Sequence, residues 1–232
     1  MLLYNIWTNR YKQLKNIEII FVKKKILCLI PARSGSKRIK NKNIININNK
    51  PLIKFVCEKI SKSKFISYFF VASDKKNIFK TLKLDKKFRF FHRSKKSSTR
   101  TAKTEEVVLE FLKKENLNSE IIILLQLTNP FIDYKILDKA INYYLQNKFD
   151  SMLSAVESKH FIWKNTKYTI PINYNYRKRE MSQDIKSYMV ENGSFYIFKK
   201  KNFLKYKNRL HGNIGFFKMP KESYFEIDDN DD

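Results

Sequence analysis

The sequence is short of residues that several common kinds of site require. It contains four glycines, and only Gly35 lies in the basic loop after the first predicted strand. This excludes a G-x-x-x-x-G-K-[ST] or G-x-G-x-x-G phosphate loop there. The two cysteines, Cys28 and Cys57, lack the spacing of a metal site, so we expect both to be core residues of a reduced, cytoplasmic protein.

Long apolar runs and acidic residues are also scarce. The longest apolar stretch near the amino terminus, Ile17 to Ile30, is broken by three lysines and falls short of the ~20 residues of a membrane span. We therefore expect no membrane association. Basic residues outnumber acidic ones by 48 to 22, which ordinarily suggests a nucleic-acid partner. Because the lysines are spread along the whole chain, we predict no nucleic acid, and a nucleic-acid-binding basic protein remains the alternative.

The chain is organised around the stretch from Ile26 to Ile44. Ile26 to Ile30 is typical of a buried strand, a loop rich in Arg and Lys follows, and Pro51 begins a helical pattern. Phosphorylated ligands bind at the carboxyl ends of strands in open α/β sheets. With so little glycine, the phosphates would be held mainly by Arg and Lys side chains. The residues alone leave open a solvated basic loop.

The order of residues in this loop narrows the choice. P-A-R-S-G-S-K-R-I-K-N-K-N-I resembles the P-A-R-x-G-S-K-x-x-x-x-K-N signature of CMP-sialic acid synthetases, also called acylneuraminate cytidylyltransferases. The resemblance implies an α/β fold: a single Rossmann-like nucleotidyltransferase domain over residues 25–232, with a mostly parallel central sheet. It also implies a small protruding dimerisation subdomain at 157–190. Residues 1–24 precede the usual start of the family, and their structure is left open.

The same resemblance implies the reaction and the partners. The family transfers CMP from CTP to the anomeric hydroxyl of a sialic-acid-like nonulosonic acid, releasing pyrophosphate, for surface glycan synthesis. The implied partners are CTP, the sugar and a second copy of the chain in a homodimer. Arg33 and Lys42 would hold the triphosphate and, with Asp228, carry the catalysis.

A second segment resembles the part of the family that holds cytosine, R-P-x-x-x-x-x-D-T-A-S-T. Arg93, Ala102 and Thr104 match it, whereas Arg100 and Lys103 replace the family's Asp and first Ser. Taken alone, this segment is simply a loop that leads into a helix. The residues implied to bind the nucleotide are Ala32, Arg33, Ser34, Gly35, Lys42, Asn43, Arg93, Ala102 and Thr104.

Asp74 ends a second predicted strand that begins at Ile66. It could stabilise the loops of the site or cap a helix that starts near Lys75. We favour the helix cap, because Asp is among the preferred N-cap residues.

The sugar side of the site is implied by two further matches. Gln126 follows the most apolar strand, Ile121 to Leu125, which we expect to be central and parallel. An amide there can both donate and accept hydrogen bonds, as a sugar contact requires. Further on, E-N-G-S-F-Y matches the family and suggests a turn into a strand, with Asn192 and Gly193 near the sugar. The residues implied to bind the sugar are Gln126, Gln183, Asn192 and Gly193.

The segment before that match departs from the family. Its R-R-Q-D motif, on an arm that contacts the sugar of the partner subunit, is here Met181-Ser182-Gln183-Asp184. Arg177, Arg179 or Lys159 could replace the two arginines. The alternatives are a solvated basic arm or a catalytically impaired member of the family.

The acidic end of the chain resembles the I-D-I-D-T motif that binds Mg²⁺ in the family. In an extended segment, Glu226 and Asp228 share one face because side chains alternate. Hard oxygen ligands suit Mg²⁺, with substrate phosphates supplying the remaining ligands. Glu226 replaces an Asp of the family, and family members usually continue beyond the position of Asp232. An acidic disordered tail is the alternative.

Overall fold

The computed structural model describes residues 26–232 except 36, 37, 116, 182 and 230. The predicted extension at 1–24 and Ser182 therefore lie outside the described residues. The strands are β1 (Ile26–Pro31), β2 (Asn46–Ile47), β3 (Lys50–Pro51), β4 (Ile66–Ser73), β5 (Phe88–His92), β6 (Ile121–Leu125), β7 (Ser151–Ser158), β8 (Trp163–Lys164), β9 (Ile170–Pro171), β10 (Tyr188–Lys199) and β11 (Ile214–Lys218). The α-helices are α1 (Leu52–Ile60), α2 (Lys76–Thr81), α3 (Lys95–Ser98), α4 (Thr104–Lys114), α5 (Tyr134–Gln146) and α6 (Lys200–Tyr206). Short 3₁₀ helices lie at Lys42–Ile44, Tyr176–Lys178 and Lys221–Tyr224.

Seven of the strands form one sheet in the order β11-β7-β10-β6-β1-β4-β5. The pairs β1–β4, β1–β6, β4–β5 and β7–β11 are parallel, and β10 runs antiparallel to both of its neighbours. The predicted mostly parallel α/β sheet is therefore confirmed. The strand β6 is central as expected, but it is parallel to β1 only.

The core lies on both faces of this sheet. Alternate residues of β1 point to opposite faces, so Cys28 and Leu29 belong to different apolar clusters. One cluster includes α1 and α5, and the other includes α4 and α6. Cys28 and Cys57 are buried free thiols in the first cluster, as predicted, and burial raises the pKa of both. No helix in the described ranges is long and apolar enough to cross a bilayer.

The strand β10 differs from its prediction. We expected a turn at Asn192, but the chain continues as a 12-residue strand through it. The register against β7 shifts between Glu191 and Tyr196, and Gly193 has φ +59°. A bulge of this kind takes up extra residues without ending the strand, and glycine adopts positive φ without strain.

Residues 159–187, between β7 and β10, form an arm outside the sheet. Within it β8 pairs with β9, and the rings of Phe161 and Tyr174 are 4.4 Å apart. The guanidinium of Arg179 lies 4.1 Å from the centre of the Phe161 ring. Aromatic and cation–π contacts thus help to hold the arm together, as do the hydrogen bonds of Asn173 to Ile162 and His160. It is slightly shorter than the predicted 157–190, because both flanking strands extend into that range.

Candidate active site

A cavity of about 410 Å³ opens beyond the carboxyl ends of β1 and β6. Its lining residues are Pro31, Arg33, Arg38, Lys42, Asn43, Arg93, Ala102, Thr104, Val107, Gln126, Leu127, Thr128, Glu226 and Asp228. Predicted site residues make up much of this wall, namely Arg33, Lys42, Asn43, Arg93, Ala102, Thr104, Gln126, Glu226 and Asp228. Segments distant in the sequence therefore meet where the parallel sheet was expected to bind phosphate.

The basic loop is fixed beneath the cavity by Asp74. The carboxylate of Asp74 accepts hydrogen bonds from the backbone N and the hydroxyl of Ser34, at 2.8 Å and 2.5 Å. Burial alone would raise the pKa of Asp74, but the hydrogen bonds from Ser34 outweigh it and lower the pKa. The predicted helix cap is wrong: α2 has no side-chain cap, and the backbone N of Lys75 donates instead to Ser73 Oγ.

Three of the predicted nucleotide-binding residues lie beside the cavity without lining it. Ala32 is fully buried and extends the pairing of β1 with β4 by donating its N–H to Ala72 O at 2.8 Å. Ser34 is engaged by Asp74, as described above. Gly35 is exposed, and a Cβ placed there would meet no atom of the described residues within 4 Å, so packing against them does not require a glycine at this position.

Two guanidinium groups lie close together in the wall. Arg93 is buried, and its Nη2 donates to Ser97 O, while Arg33 Nη1 donates to Thr99 O at 2.6 Å. Burial and then the positive charge of Arg33 lower the pKa of Arg93. Arg93 Nε is buried without a hydrogen-bond partner among the described residues. Because the two positive charges repel each other and Arg93 Nε is free to donate, this part of the wall favours an anionic ligand between Arg33 and Arg93.

Lys42 joins the basic loop to the acidic end of the chain. Its side chain is 11% exposed, and its Nζ donates to Ile227 O at 2.7 Å and to Asp228 Oδ1 at 2.8 Å. Asn43 Nδ2 donates to Arg33 O at 2.8 Å and so braces the loop. Arg38, which the sequence analysis did not single out, contacts Asp228 Oδ2 at 3.0 Å through Nη1. It lies at a variable position of the signature, so only its charge could have drawn attention to it.

The acidic segment is pinned against the loop that follows β6. The backbone N of Ile227 donates to Thr128 O at 2.7 Å, and Thr128 Oγ1 donates to Glu226 Oε2 at 3.2 Å. These contacts argue against the alternative of a disordered tail at Glu226 to Asp228. Burial, opposed by the Thr128 bond and reinforced by the charge of Asp228, raises the pKa of Glu226.

The two carboxylates suit a divalent cation. Their mutual repulsion would be relieved by a cation between them, and both offer the hard oxygen atoms that Mg²⁺ prefers. No group of three or more His, Cys, Asp or Glu side chains converges in the described ranges. Glu226 and Asp228 would therefore need ligand oxygens to complete a coordination shell, which fits a site shared with phosphates.

The predicted sugar-binding residues do not all meet at this cavity. Gln126 lines it, and Gly193 lies directly beneath Glu226. Asn192, in contrast, is buried: its Nδ2 donates to Ser223 O and Oγ, each at 3.0 Å. The Nδ2 group thus ties β10 to the 3₁₀ helix Lys221–Tyr224, which precedes the acidic segment. A sugar contact by Asn192 stays a prediction.

Gln183 lies on the arm, at a separate cavity of about 720 Å³. Its backbone O accepts a hydrogen bond from Lys159 Nζ at 2.7 Å, and His160 and Lys221 line the same cavity. Of the basic residues considered as replacements for the two arginines, Lys159 contacts Gln183, whereas Arg179 packs on Phe161.

Known proteins resemble this chain over most of its length. A family model described as cytidylyltransferase matches residues 27–230. The pseudaminic acid cytidylyltransferase of Campylobacter jejuni subsp. jejuni serotype O:23/36 (strain 81-176) is 28% identical over 213 residues, which cover 88% of this chain and 91% of the relative. N-acylneuraminate cytidylyltransferase A of Danio rerio is 30% identical over 208 residues, which cover 88% of this chain and 48% of the relative. The chain thus spans about half the length of the second relative.

Solved structures share the fold. A CMP:2-keto-3-deoxy-manno-octonic acid synthetase complexed with CTP superposes with a TM-score of 0.63 at 17% identity, covering 84% of this chain and 90% of the other. A 4-diphosphocytidyl-2C-methyl-D-erythritol synthase from Anaerococcus prevotii gives 0.66 at 16% identity, covering 92% and 94%.

Proposed function

The chain belongs to the cytidylyltransferase family, and from that premise we propose that it transfers CMP from CTP to the anomeric hydroxyl of a sialic-acid-like nonulosonic acid, releasing pyrophosphate. The observation that carries the proposal is the described part of the cavity wall, which combines four cationic side chains with a pair of carboxylates at the carboxyl edge of the sheet. That combination matches a triphosphate bound with a divalent cation. The relatives named for pseudaminic and N-acylneuraminic acids support a nonulosonic acid as acceptor.

The nucleotide would lie between the basic loop and α4. Arg33 and Lys42 face the phosphates, while Ala102, Thr104 and Val107 offer a small, partly apolar surface for the base. The sugar hydroxyl releases its proton to solvent as its oxygen attacks the α-phosphorus, the bond to the bridging oxygen breaks, and pyrophosphate leaves with the electron pair. Cations already fixed around the phosphates stabilise the charge that develops on them without reorganising.

Glu226 and Asp228 would hold Mg²⁺ together with phosphate oxygens. The ion would neutralise charge on the phosphates and orient the leaving pyrophosphate. The chain's own contribution is to fix both carboxylates, through Thr128 for Glu226 and through Lys42 for Asp228.

On the acceptor side, Gln126 offers an amide to the sugar at the end of β6. Gln183, with Lys159 beside it, remains a predicted sugar contact through the arm of a homodimer. The choice among sialic, legionaminic and pseudaminic acids stays open in this proposal.

The test is pyrophosphate release from CTP and Mg²⁺ with a panel of nine-carbon 2-keto sugar acids. We expect release with one of the sugars, and a loss of about 100-fold or more in Asp228→Asn, as when a charge-stabilising group is removed. Asp229→Asn, an exposed acidic neighbour outside the cavity, is the matched control and should retain activity.

Three results would count against parts of the proposal. CTP binding without release for any sugar would favour a catalytically impaired member of the family. Absence of CTP binding would remove the nucleotidyl-transfer proposal itself. Equal losses in Asp228→Asn and Asp229→Asn would refute the assignment of the metal site.

A further inference from the structure

Both carboxylate oxygens of Asp228 are already engaged by cations. Lys42 Nζ lies 2.8 Å from Oδ1, and Arg38 Nη1 lies 3.0 Å from Oδ2. A divalent cation that approached this carboxylate would meet two positive charges at hydrogen-bond distance from the same two oxygens. Coulomb repulsion at such separations is substantial even at the effective dielectric constant of a protein surface.

The two cations differ in how firmly they are held. The Lys42 side chain is 11% exposed and has a second acceptor in Ile227 O, so it is fixed in the wall. The Arg38 side chain is 62% exposed, and its ion pair is with Asp228. An exposed ion pair contributes little net stability and is readily exchanged, whereas a guanidinium can grip a phosphate through two parallel hydrogen bonds.

The surroundings favour such an exchange. Among the residues that the structure describes, the cavity wall contains four cationic side chains (Arg33, Arg38, Lys42, Arg93) and two acidic ones (Glu226, Asp228), an excess of two positive charges. An anion is therefore attracted before a bare divalent cation is. Asp232 also lies near Lys42 and Arg38. Its carboxylate accepts a hydrogen bond from the backbone N of Asp228 at 2.6 Å.

We propose that Arg38 is a positioning residue that makes divalent-cation binding at Asp228 depend on the nucleotide. Arg38 occupies Oδ2 until the phosphates of an incoming nucleoside triphosphate draw its guanidinium away. Oδ2 is then free to bind the cation that arrives with the phosphates. This inference rests on the proposed function, because it takes the phosphates to be those of CTP.

The experiment measures Mn²⁺ binding to the full chain by electron paramagnetic resonance of the free ion, with and without CTP and without sugar. Mn²⁺ held by CTP itself is subtracted. Without nucleotide, we expect Arg38→Ala to bind Mn²⁺ about two- to fivefold more tightly than wild type, the effect of removing one exposed ion pair. CTP should increase the Mn²⁺ affinity of wild type. In Arg38→Ala, we expect this increase in affinity to be smaller by a similar factor.

Lys40→Ala is the matched control, because it removes the same charge from an exposed position of the same loop outside the cavity. It should change the nucleotide-free Mn²⁺ affinity by less than Arg38→Ala does. Equal nucleotide-free affinities in wild type, Arg38→Ala and Lys40→Ala, including no binding to any of them, would overturn the inference. Failure of CTP to bind wild type would instead overturn the proposed function, and the nucleotide-free comparison would still decide whether Arg38 opposes cation binding at Asp228.

Discussion

At the scale of single residues, Gly193 is the position where backbone conformation and site chemistry depend on each other most directly. It has φ +59°, and a Cβ there would lie 2.7 Å from both carboxylate oxygens of Glu226. A side chain would therefore strain the bulge in β10 and displace a proposed metal ligand at once. The sequence match assigned Gly193 to the sugar, but its geometry relates it to Glu226.

We predict that Gly193→Ala lowers cation-dependent pyrophosphate release by about tenfold or more and destabilises the fold by about 1–3 kcal/mol, the usual cost of a strained backbone. Gly212→Ala separates the two effects. Gly212 has φ +64°, and its added Cβ would lie 2.4 Å from Asp150 Oδ2, away from the cavity wall. Urea unfolding should show similar losses in both variants, with turnover per folded molecule reduced only in Gly193→Ala. Similar turnover in both would refute the link to Glu226.

Whether the sequence predicts a site residue depends on whether its role follows from a local motif or from contacts between distant segments. Arg33 and Lys42 belong to an ordered motif, so their positions in the wall could be anticipated. Asp74 was predicted wrongly as a helix cap, because a carboxylate after a strand serves equally well as a helix cap or as a loop brace. Thr128 and Arg38 reach the site only through contacts with the distant acidic segment, which no local pattern specifies.

At the scale of elements, Glu110 on α4 organises the segment that presents carbonyl groups to the cavity arginines. Its carboxylate accepts from Ser94 N at 2.9 Å, Ser94 Oγ at 3.0 Å and Lys114 Nζ at 2.5 Å, and also from the Ser97 hydroxyl. Burial would raise the pKa of Glu110, but these hydrogen bonds outweigh it and lower the pKa to about 2. Helix α4 thereby fixes α3, in which Ser97 O accepts a hydrogen bond from Arg93.

This lowered pKa predicts how stability depends on pH. Because the folded-state pKa is below the unfolded value, the contribution is complete above about pH 4.5 and is lost as pH falls toward 2. The Glu110 side chain is 12% exposed, so screening by water is limited. We expect Glu110→Gln to be less stable than wild type by about 2 kcal/mol at pH 7, with the gap closing toward pH 2.

Urea unfolding of both proteins at pH 7, 4 and 3 measures that gap. Glu106→Gln, on the half-buried first turn of the same helix, should give a smaller gap with little pH dependence. A gap for Glu110→Gln that stays constant between pH 7 and pH 3 would show that its carboxylate is not the stabilising group.

Elements that the sequence predicts well are those defined by apolar runs. β1, β4 and β6 lie within a residue or so of their predicted positions, because buried parallel strands are continuous apolar segments. β10 was truncated in prediction, since an Asn-Gly pair favours a turn. Its continuation depends on pairing with β7, which the local sequence does not encode.

At the scale of the whole molecule, the net charge of +26 works against self-association, yet the arm presents apolar side chains outward. Tyr168, Ile170 and Ile172 are 70%, 52% and 60% exposed. Exposed apolar residues gathered on one projecting segment are typical of an interaction surface. They support, as a prediction, the homodimer expected through this arm.

We predict that light scattering shows a dimer whose dissociation constant falls as salt is added, because salt screens the repulsion between two strongly basic copies. Ile170→Glu combined with Ile172→Glu should weaken the dimer by about 30-fold or more, as expected for buried interface anchors. Leu204→Glu, which places one glutamate on the exposed face of α6, should leave the dimer unchanged.

The edge strand β11 offers a competing surface, since Ile214 and Phe216 are 48% and 47% exposed. Unpaired edge strands with apolar side chains can also join two copies of a chain. A dimer that survives the double arm substitution but is lost in Phe216→Glu would place the interface at β11. In that arrangement the arm would not be required to meet a partner subunit, and Gln183 and Lys159 would have to act within their own chain. The position of the interface thus decides whether each sugar site is built from one chain or from two.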